Sequence, residues 1–321
     1  SLCKVRGLFL FGDGIDMDER LRQEAIQGLI RKKFHGHDIL ISKYTPVFPA
    51  GIEREYARVS RQYMRLLKES IEEEMPVLKE QIMKERGTYR ADGINDLLIL
   101  LEKVLDRIHK KFAEKEQGYG LRRKLEALAN MTRKLTIREW KKAVDKTLGI
   151  NIMEDYYMGE LFQTAMDRWV DENVSLIKTI PADTLGDMRM IVKEGFLNGK
   201  STTRIMKEIQ HKYGVEAARA RLLARDQVGK LNASITEVQQ RDAGIEEYIW
   251  DDCGDSRVRD CHKELNGQRF RWDDPPEMWY MTRSGKKMTG RHCHPGQDIQ
   301  CRCRPKPIFK FGVFNAPVTK K

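Results

Sequence analysis

Apolar residues recur every three or four positions through most of the first 240 residues, the spacing of one face of an α-helix. After Asp16, a residue type suited to capping a helix, Leu21, Ala25, Ile26, Leu29, Ile30 and Phe34 keep that spacing. Pro46, Pro49 and Gly51 mark a loop, and a second stripe follows in Ile52, Tyr56, Val59, Tyr63, Leu66, Leu67 and Ile71. Pro76 is expected to kink or end that helix, because proline removes a backbone donor and clashes with the preceding turn. Gly87 and Gly93 bracket a break before a strongly apolar helix over 94–112, whose stripe is Leu97, Leu98, Leu101, Val104, Leu105 and Ile108. Further helices are predicted over 121–135, 137–148, 154–178, 182–198, 202–213 and 215–241. Stripes of this kind are far more often core than ligand contacts.

The texture changes at Gly244. Residues 245–250 combine β-branched and aromatic side chains after a turn glycine and read as a strand. Phe270 and Trp272 suggest a second strand, and Ile308, Phe309, Phe311, Val313 and Phe314 a third. Pro275-Pro276, Ser284-Gly285 and Pro295-Gly296 between them are loop chemistry. The chain is therefore read as mainly α with a small C-terminal α+β, Cys/His-rich module. Its parts are a helical region over 1–150 that carries no assignable motif, further helices over 151–244, the module over 245–314 and a basic tail over 315–321.

Composition narrows the function classes. Of 321 residues, 40% are hydrophobic and 33% charged, too apolar for a wholly disordered chain. The longest apolar runs, 8–11 and 97–101, fall far short of the roughly 18–20 residues that span a bilayer, so no membrane partner is expected. Neither run has the flanks of a secretion signal. The net charge of +11 suggests a polyanionic partner. Along the helices, basic residues alternate with acids, as in Glu53, Arg54, Glu55 and Arg58, and read as solvated faces. The C-terminus differs: from Arg283 to Lys321 ten Lys and Arg accompany a single acid, Asp298. Lys286, Lys287, Arg291, Arg302, Arg304, Lys306 and Lys310 are thus candidate contacts to double-stranded DNA, without sequence preference. The alternative for the same residues is docking on an acidic protein surface.

Five of the six cysteines (Cys253, Cys261, Cys293, Cys301, Cys303) lie in the module, with His262, His292 and His294. Thiolate and imidazole are the ligands Zn²⁺ prefers, and a structural zinc ion substitutes for a thin apolar core. No C-x2-C pair of a standard zinc finger is present, and reduced thiols or a disulfide stay open as alternatives. The candidate ligand pool is Cys253, Cys261, His262, His294, Cys301 and Cys303, of which four are expected to serve. A catalytic alternative makes Asp255, His262 and His294 the centre of a metal-dependent nuclease or toxin-like enzyme, or Cys261 or Cys293 a nucleophile beside a histidine. No nucleophile elbow, H-E-x-x-H, phosphate-binding glycine loop or dinucleotide fingerprint accompanies them, and Gly12-Asp13-Gly14 is only a turn. The expectation is a protein that is not an enzyme.

Several motifs stand in a recognisable order. Trp250, then Asp255, Arg257, Arg259 and His262, then Gly267 and Phe270, resemble the W…D-x-R-V-R-x-x-H…L-x-G-x-x-F signature of the phage Mu F-like head morphogenesis proteins. His294-Pro295-Gly296 followed by Cys301-Arg302-Cys303-Arg304 is similar to the close of that domain. Glu172-Asn173-Val174 through Ile180-Pro181, and Ala224-Arg225-Asp226-Gln227, resemble its upstream elements. The resemblance runs over 172–304 and makes 151–244 the helical part of a Mu F-like domain. It implies a minor head (capsid) protein of a tailed bacteriophage, associated with the portal protein and the inner head surface, acting in head morphogenesis and touching the packaged genome. Such a protein resides in the procapsid and virion head interior, and in the host cytoplasm during assembly. Many relatives carry C-x-x-C where this chain has Arg259 and His262. The zinc ligands preferred here are therefore His262, His294, Cys301 and one of Cys253 or Cys261.

Overall fold

The computed structural model describes residues 15–87 and 93–316. The apolar run 8–11, the Gly12-Asp13-Gly14 turn and the lysines at 320 and 321 lie outside the described residues, as does the Leu97 side chain. Among the described residues seven helices precede Gly244: α1 (Ile15–Phe34), α2 (Ala50–Gly87), α3 (Gly93–Tyr119), α4 (Leu121–Leu148), the short α5 (Glu154–Met158), α6 (Gln163–Leu197) and α7 (Thr202–Asp242). One strand, β1 (Ile39–Ile41), interrupts them. After Gly244 come β2 (Glu247–Asp251), α8 (Asp260–Leu265), β3 (Arg269–Arg271), β4 (Glu277–Met281), β5 (Lys287–His292) and β6 (Arg304–Lys310). The chain is thus mainly helical, with antiparallel sheets in its C-terminal part.

The helices are longer than the sequence pattern predicts. Residues 121–135 and 137–148 form one helix, as do 202–213 and 215–241, and α2 and α6 run through Pro76 and Pro181. A proline inside a helix costs about 3 kcal/mol. In α2 the flanking Leu67, Ile71, Leu78 and Ile82 are fully buried, and in α6 so are Ile177, Ile180, Met188 and Val192. Each such side chain contributes about 1.5–3 kcal/mol on burial, so packing on both sides of the proline outweighs the local penalty. Residues 154–162, expected as the start of one long helix, instead form α5 and a short 3-10 turn.

The apolar stripes close on the chain's own core. Tyr56, Val59, Tyr63 and Leu67 meet Leu101, Val104, Leu105 and Ile108 in one continuous cluster that also takes in α4, α6 and α7. Leu21 and Leu29 of the α1 stripe are exposed.

A four-stranded antiparallel sheet in the order β1-β6-β2-β3 lies against this core, and β4 pairs with β5 as a separate hairpin. The edge strand β1 comes from the N-terminal region and registers Leu40 opposite Phe309. Pro305 and Pro307 sit in the half of β6 that pairs with β2 and lies beyond the β1 register, so no second ladder needs their missing N–H groups. Phe309 stacks on Trp140 of α4 at 6.0 Å. The expected third strand stops at Lys310, and Phe314 is buried beyond it, its carbonyl accepting from Gln23 and Gln27 of α1. Gly244 ends α7 at φ +76°, and a Cβ there would sit 2.6 Å from the Val313 carbonyl oxygen, so only glycine allows this crossing. On the opposite face of β2, Tyr248 and Trp250 alternate inward to a second, smaller cluster with Trp272, Met278, Cys301 and Cys303.

Glu139 of α4 ties the loop after β1 to the helices. Its buried carboxylate accepts from Tyr44 Oη at 2.6 Å, the Val47 amide at 2.8 Å and Lys142 Nζ at 2.9 Å. Burial alone would raise its pKa, but these bonds outweigh it and hold the carboxyl below its ordinary 4.5. A depressed folded-state pKa contributes stability above the unfolded value, and that stability is lost as the pH falls through the folded one. Glu139→Gln should therefore be less stable than the parent at pH 7, and the gap should narrow below pH 4.5. Urea midpoints across that range check this, and a pH-independent gap would refute it.

Candidate metal centre

Three side chains from two segments converge beneath β2. The short α8 carries His262, and the loop leading into β6 carries Cys301 and Cys303. All three are buried, and their ligand atoms lie within 4.8 Å of one another. His262 Nδ1 is 3.7 Å from Cys301 Sγ and 3.6 Å from Cys303 Sγ. Zinc bound tetrahedrally to sulfur at about 2.3 Å and nitrogen at about 2.05 Å sets an N···S edge of about 3.6 Å. The donor chemistry and the spacing both fit such an ion, and this group could hold a metal.

The other ring nitrogen supports the same reading. His262 Nε2 faces Asp298 Oδ2 at 3.2 Å, the carboxylate–histidine arrangement that orients a ligating imidazole. Asp298 is buried, and Arg259 at 3.0 Å and Arg291 at 3.1 Å flank it. Burial works against its charge, but His262, its own backbone neighbour Ile299 and the two arginines keep its pKa low. Burial also works against a charged His262, yet the bonds to Asp298 and Cys301 prevail and lift its pKa to about 9. The contact between the two thiols, helped by His262, pushes Cys301 well down, while the same contact and burial push Cys303 up. Metal binding would release the protons held by these groups.

The other members of the predicted pool are placed differently. Cys253, half-buried, lines the same cavity as the three converging residues. Cys261 is buried and lines a different cavity, with Trp279 and Tyr280, and burial raises its pKa. Cys293 is half-buried and likewise raised. All five of these cysteines are free thiols. His294 is held elsewhere: its Nδ1 pairs with Tyr248 Oη at 2.8 Å, and its ring lies 4.8 Å from Trp272. Burial and the Arg241 charge push its pKa down to about 4, so it is neutral at pH 7. The converging group therefore contains Cys303 and not His294. Asp298 is the functional residue that motif spacing missed, although its isolation among basic residues was a visible signal.

Residues 187–305 match the family described as Phage Mu protein F like protein. That stretch of the chain belongs to the Mu F-like family. The chain is also 30% identical over 152 residues to an uncharacterized protein of Haemophilus influenzae, across 46% of this chain and 31% of that relative. The chain thus spans about a third of the length of this relative. No solved structure matches.

Within the Mu F-like region, motif residues far apart in sequence meet at this centre. Trp250, fully buried, packs 5.5 Å from the His262 ring, and its carbonyl accepts from the Gly267 amide at 2.8 Å. Asp226 of α7 accepts from the Gln300 amide at 2.9 Å, one residue before Cys301. Gly296 presses on α7: a Cβ there, where φ is +87°, would lie 2.9 Å from the Ala233 Cβ. Gln227 links back to Asn173 and Trp169 of α6, upstream of the matched stretch, through bonds of 3.2 and 2.9 Å. Asn173 in turn accepts from Tyr56 Oη at 2.6 Å, which joins the motif helices to α2.

The seven candidate DNA-contacting cations divide. Arg302 pairs with Asp255, Arg304 and Lys306 with Asp251, Lys310 with Glu246 and Glu247, and Arg291 with Asp298. Lys286 and Lys287 sit on the exposed β4–β5 hairpin, where Lys287 lies 4.5 Å over the Trp279 ring. Asp255 also binds Arg257, His262 binds Asp298, and His294 binds Tyr248. The three residues of the catalytic alternative are thus each engaged with a different partner.

Proposed function

We propose that this protein is a minor head protein of a tailed bacteriophage that acts in head morphogenesis from a position at the portal, on the inner head surface. The observation that carries this reading is the Mu F-like match over 187–305, whose motif residues gather at one buried centre. The role proposed is structural rather than catalytic. Among the described residues no helix is long and apolar enough to cross a membrane. A metal at His262, Cys301 and Cys303 would fasten α8 to the loop before β6 and so hold this part of the fold in shape.

Contact with the packaged genome is part of the same proposal. With most C-terminal cations already paired, the hairpin lysines Lys286 and Lys287 are the residues best placed to neutralise phosphates. Such binding is weak, independent of sequence and steeply reduced by salt. Co-expression with the cognate portal protein should give a complex that co-purifies with few copies per portal ring, and heads assembled without the gene should lack this band. Absence of the protein from purified procapsids and heads at every stage would overturn the proposal.

A further inference from the structure

A cavity of about 160 Å³ lies where α7, the loop before α8 and the segment 300–303 meet. Arg225 of α7, Arg257 and Arg259 of the loop, and Arg302 between the two buried cysteines line it, and Cys253, His262, Cys301 and Cys303 share its wall, so the cavity opens onto the metal centre. No acidic side chain among the described residues lines it. Each guanidinium is instead steadied by a carboxylate outside the lining. Arg225 Nε meets Glu53 at 3.2 Å, Arg257 meets Asp255 at 3.2 Å, Arg302 meets the same Asp255, and Arg259 meets Asp298 at 3.0 Å. A guanidinium has five N–H donors, and these pairings fix its plane while leaving no carboxylate in the cavity wall.

We infer that this cavity is an anion site that takes a phosphate group. Arginine matches phosphate with two parallel, charge-assisted hydrogen bonds, and guanidiniums already oriented lose little freedom on binding. The volume is below the roughly 300–1,000 Å³ of sites for drug-sized ligands, so a tetrahedral oxyanion suits it and a whole nucleotide does not. The phosphate is either one unit of a nucleic-acid backbone or a free small phosphate. The inference stands on the arginine geometry and does not depend on the head-protein reading. Of the four arginines, only Arg302 was among the residues that sequence marked for DNA contact.

Titration of the full chain with inorganic phosphate in chloride buffer, followed by calorimetry, tests it. One saturable site per chain is expected. Arg257→Gln, on a mostly exposed side chain, and Arg225→Gln, on the α7 wall, should each weaken phosphate binding about tenfold or more, the loss of a charge-assisted hydrogen bond. Circular dichroism matched to the parent establishes that each variant is folded, and Arg257→Gln decides alone if Arg225→Gln is not. A short DNA duplex that displaces phosphate, and is itself weakened by the same variant, identifies a backbone phosphate as the ligand. A duplex that leaves phosphate in place identifies a free phosphate. Absence of saturable phosphate binding, or binding that the folded variants leave unchanged, overturns the inference.

Discussion

Cys301→Ser should remove a bound zinc ion and loosen the C-terminal part of the chain, whereas His294→Gln should leave the zinc in place. The parent protein, purified without chelator, is expected to carry about one zinc per chain. Cys301 and Cys303 supply both sulfurs that face His262 Nδ1, at 3.7 and 3.6 Å. Loss of either breaks the donor set, while His294 is committed to Tyr248. Structural zinc in small domains contributes folding free energy on the order of 10 kcal/mol. The cluster it would support is small: Tyr248, Trp250, Trp272 and Met278 with the two cysteines. The helical core, a separate and much larger cluster, should survive. Local loosening is therefore expected, read as faster amide exchange in β2 and the loop 293–303 with α2–α4 unchanged. Cys261→Ser is the matched control, since this thiol lines a different cavity and is not part of the converging group. Stoichiometric zinc in Cys301→Ser, or sub-stoichiometric zinc in the parent, would defeat the prediction.

Trp250→Ala should cost about 3–5 kcal/mol, the range for removing a large buried aromatic. Domains are typically stable by only about 5–15 kcal/mol, so this one change approaches the margin. Trp250 has no exposed surface, lies 5.5 Å from the His262 ring and 6.2 Å from Phe270, and alternates inward with Tyr248 on β2. Its buried indole Nε1 bonds no oxygen or nitrogen and has the Cys303 sulfur as a weak acceptor beside it. Trp250→Phe removes that weakly bonded donor while keeping an aromatic ring, so it should cost much less than the alanine variant, about 1–2 kcal/mol. Denaturant melts of the two variants check the ordering. Equal losses would mean that the indole N–H, and not the ring, holds the site together.

Much of this architecture was legible in the residue pattern. The helical spacing of Tyr56, Val59 and Tyr63, and of Leu101, Val104 and Ile108, marked real buried faces because a helix repeats every 3.6 residues whatever packs on it. The change of texture at Gly244 coincides with the end of α7, because a positive φ against the Val313 carbonyl admits only glycine. The motif order from Trp250 to Cys303 picked out the family that matches over 187–305. Prolines misled in one respect: a local rule ends helices at Pro76 and Pro181, but buried neighbours on both sides carry them through.

What sequence alone determined, then, were the helical faces, the strand-bearing C-terminal part, the absence of a long apolar span and the pool of metal-binding residue types. Each follows from short-range spacing or from composition. Tertiary structure decided the rest. Strand β1 is only three residues long and exists because β6, some 270 positions away, offers it a ladder. The converging group excludes His294 because Tyr248 captures its Nδ1, and includes Cys303 because the turn into β6 aims both sulfurs at His262. The apparent basic tract is largely paired because Asp251, Asp255 and Glu246, distant in the chain, lie beside it in the fold. Ligand identity and net local charge depend on which groups come within a few ångströms, and in this chain those neighbours are supplied by segments far apart in sequence.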